Sequence, residues 1–146
     1  MSTHEDGLAA LVRALQFKKG QSSGIRFQIH PDTPPNSRHM RIAVSIASQI
    51  NVANKSCTYS IKIESSRESE VQVFLHYSET FESKRKLNPS RSGLCEFGNL
   101  IAAPRIRHHF VSLLTTVLAD SPIDPDTAIP PLEILQCFDR TSKQVP

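Results

Sequence analysis

Apolar residues recur along this chain in two rhythms, one with a period near 3.6 and one with a period of two. Leu8, Leu11, Val12 and Leu15 fall at i, i+3, i+4 and i+7, the single stripe of an amphipathic helix. Ser2 or Thr3 can cap that helix, His4-Glu5-Asp6 puts acids into its first turn, and Lys18-Lys19-Gly20 offers cations and a stop. Four alternating segments follow. Ile25, Phe27 and Ile29 share one parity, as do Ile42, Val44, Ile46, Ile50 and Val52, with Ser48 the interruption. Cys57, Tyr59, Ile61 and Ile63 form the third set, and Val71, Val73, Leu75 and Tyr77 the fourth. Period two with one apolar side is the pattern of half-buried strands. The gaps between them are short and turn-like, which predicts antiparallel pairing of sequence neighbours.

Residues 78–102 lack either rhythm and are rich in Lys, Arg, Ser, Asn and Gly, so they read as an irregular basic loop. Leu94-Cys95-Glu96-Phe97 inside it is a candidate fifth strand at the sheet edge. A second helix is predicted from Pro104, with Ile106, Phe110, Leu113, Leu114 and Val117 as its stripe and Val111 and Leu118 beside it. Pro131 to Phe138 reads as a short last helix, and 141–146 as a flexible tail. The predicted class is α+β: residues 1–140 as one domain, a two-layer sandwich with a four- or five-stranded antiparallel sheet. The N-terminal helix and one long plus one short C-terminal helix cover one face. Ile61, Leu75, Phe110 and Leu113 are expected to meet in the core.

Composition changes this picture only in places. The chain has 146 residues and a net charge of +3, but the charge is unevenly spread. Residues 84–109 hold six cations and one acid, whereas 120–139 hold five acids and no Lys or Arg. Such a molecule is electrically polar, which bears on partner choice. No apolar run is long enough for a membrane span, and the N-terminus is polar and acidic where a signal peptide is basic and then apolar. Cys57, Cys95 and Cys137 form no C-x-x-C pair. Together these features point to the cytosol or nucleus.

The motifs of common chemistry are missing. There is no G-x-S-x-G, no H-E-x-x-H, and no glycine-rich phosphate loop. Cys57 and Cys137 have core-like neighbours, and Glu96 beside Cys95 disfavours a thiolate. His108 and His109 are adjacent on one helix and cannot grip one ion from one face. No catalytic residue, metal or cofactor is therefore expected.

The remaining candidates concern binding. Lys84, Arg85, Lys86, Arg91, Arg105 and Arg107 are the basic segment, and Phe74 is the one aromatic on the polar face of the predicted sheet. The reading that follows is a non-catalytic protein–protein interaction module, a small subunit or adaptor of a larger assembly. It would dock an acidic protein surface or self-associate, using those seven residues. An RNA- or DNA-binding domain built on 84–109 is the alternative, and an enzyme with a dispersed site the third. The element order is similar to that of RWD-type adaptor domains, but their Y-P-x-x-x-P turn is absent and no site residue carries over. In outline it is also similar to double-stranded-RNA-binding domains, without the lysine pattern at the helix start.

Overall fold

A computed structural model describes residues 5–29, 44–65, 71–117, 129 and 132. Its elements in chain order are α1 (Leu8–Ala14), β1 (Gln16–Ile29), β2 (Val44–Ala53), β3 (Ser56–Ser65) and β4 (Val71–Glu82). After β4 come α2 (Arg91–Phe97), a π-helical turn (Gly98–Ala102) and α3 (Ala103–Val117). The α+β class is as the patterning predicts, with a four-stranded antiparallel sheet and helices on one of its faces.

The sheet order is β1-β4-β3-β2. β2, β3 and β4 pair with their sequence neighbours, but β1 pairs with β4 and not with β2. The short-gap expectation fails there for a simple reason. The chain between Ile29 and Val44 can span up to about 45 Å when extended, whereas crossing three strand spacings needs only about 14 Å. Pairing with β4 sets Ile25 opposite Leu75 and Phe17 opposite Phe81.

Strand parity places the core. Cys57, Tyr59, Ile61 and Ile63 of β3 and Val73, Leu75, Tyr77 and Phe81 of β4 are buried on one face. Against them pack Leu11 and Leu15 at α1, Phe97 of α2, and Ile106, Phe110 and Leu114 of α3. Leu113 is only partly buried, and Leu114 takes the position expected of it. Ile129 and Leu132 are also buried in this core. The rest of the expected short helix, and the tail, lie outside the described residues.

Residues 78–102 are largely regular. β4 continues to Glu82, and one helical run extends from Arg91 through the π turn into α3, so Leu94 to Phe97 is helix and not a fifth strand. Ser90 caps that run, its Oγ accepting from Gly93 N at 3.0 Å. Pro104 has no N–H to donate to the carbonyl four residues back, and just before it Ala103 N bonds to Gly98 O, five residues back. The proline that reads as a helix start is therefore accommodated inside one. At the other end, α1 stops at Ala14, and Lys18-Lys19-Gly20 belongs to β1. The first turn of α1 contains no acid.

Candidate functional site

Among the described residues, the helical layer does not reach β1. Cross-strand pairing sets Phe17, Gly20, Ser22 and Ile25 on the helix side of the sheet, opposite Phe81, Glu79, Tyr77 and Leu75. Bulges between Phe17 and Lys19 and between Ser22 and Gly24 keep the two apolar side chains on that side. Yet Phe17 is 42% exposed and Ile25 52% exposed, in contrast to the buried β4 residues they face. An inward-facing strand with uncovered apolar residues marks an unfinished core.

One recess borders Phe17, and a second borders Arg105, which lies over the Phe17 ring. One of about 480 Å³ is lined by Arg13, Phe17, Lys18, Glu82, Lys84 and Arg85. The other, about 450 Å³, lies between β4 and α3 and is lined by Tyr77, Glu79, Pro104, Arg105, His108 and His109. Arg105 joins them, its guanidinium carbon 4.5 Å from the centre of the Phe17 ring.

Arg105 is fixed from below. Its Nε donates to Glu79 Oε1 at 2.6 Å, and the hydroxyl of Tyr77 donates to Glu79 Oε2 at 3.1 Å. Glu79 has the inward parity of β4 and is 5% exposed, so its carboxylate needs both donors. Gly20 is required opposite it, because a Cβ there would lie 1.8 Å from the Tyr77 hydroxyl. Burial, and after it the Glu79 charge and hydrogen bond, pushes the Tyr77 hydroxyl above its ordinary range.

His109 stacks on Tyr77 with ring centroids 3.7 Å apart, and its buried Nε2 has no hydrogen-bond partner among the described residues. Burial lowers its pKa below the ordinary 6.5, Glu79 opposing the shift and His108 adding to it. Between the lowered value and 6.5 the unfolded chain binds more protons, so stability is present above 6.5 and falls as the pH drops through that window. Thermal melting from pH 7.5 to 5 should show this loss in the wild type and a flatter profile for His109→Gln. Parallel profiles for the two proteins would remove His109 as the cause.

The seven residues singled out from sequence separate into groups. Lys84 lines the recess at Phe17, and Arg105 lines the one between β4 and α3 while its guanidinium lies over the Phe17 ring. Arg85 lines one of them too, but its guanidinium is bound to both oxygens of Asp6 at 3.1 and 3.0 Å. Arg107 donates to Ile129 O at 2.7 Å. Lys86 and Arg91 are exposed, and Phe74 lies on the opposite face of the sheet, paired with Glu64 and Arg26. Three of the six cations are thus engaged within the protein, which leaves little of the proposed nucleic-acid footprint. Sequence reasoning missed Phe17, Tyr77 and Glu79 as a group. The available signal was the inward parity of Val73, Leu75 and Tyr77 continuing through Glu79 to Phe81, which places a carboxylate where a partner is obligatory.

Cys57 is buried and burial raises its pKa to about 11, so it is an inert core thiol at neutral pH. Among the described residues no three His, Cys, Asp or Glu side chains are grouped to hold a metal ion. No helix among them is long and apolar enough to cross a membrane.

No protein-family model and no curated protein sequence matches this chain. Among solved structures, it is similar to a SecB-like chaperone of Mycobacterium tuberculosis in complex with a ChAD peptide from the HigA1 antitoxin. The TM-score is 0.57 at 14% identity, and the alignment covers 88% of this chain and 94% of that one. At that identity the likeness concerns the fold. A protein of unknown function from Streptococcus agalactiae aligns at a TM-score of 0.36 and 6% identity, over 83% of this chain and 96% of that one.

Proposed function

We propose that this chain is a non-catalytic module that holds a segment of another protein against the uncovered inner side of β1, as a small subunit or adaptor of a larger assembly. The observation that carries this reading is Phe17: an exposed aromatic on the inward face of a strand, under the Arg105 guanidinium and at the wall of a recess. Apolar surface left open where the fold could have closed it is the ordinary mark of a protein contact. The similar chaperone is itself in complex with a peptide of another protein, and the same use is proposed here. Lys84, exposed at the recess beside Phe17, favours an acidic segment over a basic one.

A reduced, carboxymethylated, permanently unfolded protein is a suitable probe, being acidic and extended. Binding should fall at least about tenfold on Phe17→Ser, because a half-exposed ring at a contact is worth more there than in the free protein. Affinity should also decrease with salt. Reversing Lys84 and Lys86 to Glu should change stability by less than about 0.5 kcal/mol, since both are exposed, and should weaken binding. Salt-insensitive binding that survives Phe17→Ser and both reversals would return this surface to plain solvated sheet.

A further inference from the structure

β1 offers more than side chains. It is a strand of 14 residues, and among the described residues it lies at the sheet edge, hydrogen-bonded to β4 on one side only. From Gln16 to Arg26 every residue except Gly24 is exposed, and Gly24 is half-buried. Edge strands of this length expose unpaired N–H and C=O groups and template a further strand unless something blocks them. No proline interrupts β1, and its two bulges leave Lys19–Ser22 and Gly24–Ile29 as regular ladder.

The two faces of β1 differ in chemistry. Toward the helices it presents Phe17 and Ile25, with only Gly20 and Ser22 between them. On the other face it presents Lys19, Gln21 and Arg26, since their partners Thr80, Ser78 and Phe74 have the outward parity of β4. β1 contains three cations and no acid. A second copy pairing along this edge would bring three more cations and no acid to it, whereas a segment carrying carboxylates on one face meets Lys19 and Arg26 with opposite charge.

We infer that β1 binds its partner by strand addition, and that the partner is an extended segment of another protein alternating acidic with apolar residues. Its carboxylates lie beside Lys19 and Arg26, and its apolar side chains lie beside Phe17 and Ile25, over the gap that Gly20 and Ser22 leave. Main-chain hydrogen bonds to the free edge supply sequence-independent affinity, and the alternation selects the segment. The inference rests on the proposed segment-binding reading and specifies how that segment is held.

The test uses a fluorescent ten-residue peptide alternating Glu with Val, with one Val replaced by Phe, measured by anisotropy against the full chain. Successive amides of an added strand point to opposite edges, so only every second N–H can reach β1. Two further peptides carry N-methyl groups, one on every Glu amide and one on every apolar amide. Strand addition predicts that one of them loses at least tenfold in affinity while the other binds within about threefold of the parent. The double variant Lys19→Glu/Arg26→Glu should weaken the parent peptide at least tenfold and prefer a Lys-Val version of it. Equal affinity for the parent and both methylated peptides, or equal loss from both, would overturn the inference. So would a dimer in sedimentation that the peptide fails to disperse, since a second copy would then hold the edge. If all three peptides fail to bind while the unfolded acidic protein is still held, strand addition falls and segment binding stands. If neither is bound, both readings fall.

Discussion

Phe110→Ala should cost about 3–5 kcal/mol and leave little folded protein at physiological temperature. Phe110 is 1% exposed, at the centre of the stripe that Ile106 and Leu114 continue along α3. Its ring meets the edge of Tyr77, with centroids 6.3 Å apart, beneath the stack that His109 makes on that tyrosine. Truncation removes the transfer energy of the ring and leaves a cavity, because β3 and β4 cannot collapse without breaking their ladders. It also removes the floor under Tyr77, so any surviving folded fraction should hold partner segments poorly. Urea denaturation monitored by tyrosine fluorescence and by circular dichroism measures the first effect. A variant with an unchanged midpoint would mean that α3 does not lie on the sheet through this face.

Where the sequence was legible, burial was asymmetric. β3 shows strict alternation of buried and half-buried residues, and its apolar parity reads directly from Cys57, Tyr59, Ile61 and Ile63. Ile106, Phe110 and Leu114 are legible for the same reason, since α3 has one wet and one dry side. β1 shows the opposite case. From Gln16 to Ser23 both of its faces are open, so nothing in Lys18, Lys19, Gln21 or Ser22 had to alternate, and two bulges shift what parity there is. Only Ile25 to Ile29 kept a strand-like pattern, and the rest resembled the polar end of a helix. The segment left illegible is the one proposed to bind.

The candidate site was legible in its charges and not in their use. Arg105 and Lys84 belong to the basic segment; Lys84 lines the recess at Phe17, and Arg105 covers its ring. Arg85 differs from its neighbours Lys84 and Lys86 in nothing that a charge count registers, yet it alone meets a buried carboxylate. Glu79 and Arg105 are 26 residues apart and on different elements, so no spacing rule connects them. Their pairing becomes compulsory only when β4 is known to continue past Tyr77 with the same parity, since an inward carboxylate on a core strand must find donors.

Asp6→Ala should destabilise the fold by about 2–4 kcal/mol, a large effect for a residue just ahead of the first helix. Its carboxylate is 6% exposed and receives both Arg85 Nη groups, at 3.1 and 3.0 Å, and the backbone N–H of Asn88, at 2.9 Å. Its main chain is committed as well: Asp6 N donates to Asn88 O at 2.7 Å, and Ser90 N donates to Asp6 O at 2.9 Å. Gly93 approaches that carbonyl so closely that a Cβ would lie 2.8 Å from it, so the start of α2 is seated on this residue. Removing the carboxylate leaves the Asn88 N–H without it and frees a guanidinium that, being 50% exposed, recovers part of its hydration. That recovery is why the expected cost lies below the upper range for buried pairs. Arg85→Glu should lower the urea midpoint as well, because it sets two carboxylates face to face. Arg85→Lys should rescue only in part, since an ammonium cannot reproduce the two-pronged bond. The triple reversal of Lys84, Arg85 and Lys86, neutral on a reading of the segment as solvated loop, is accordingly expected to destabilise, with Arg85 alone responsible. Urea midpoints for the three single reversals and for Asp6→Ala measure this directly. Equal, wild-type-like midpoints across the set would show that the N-terminal segment is not anchored here and that Arg85 is as free as its neighbours.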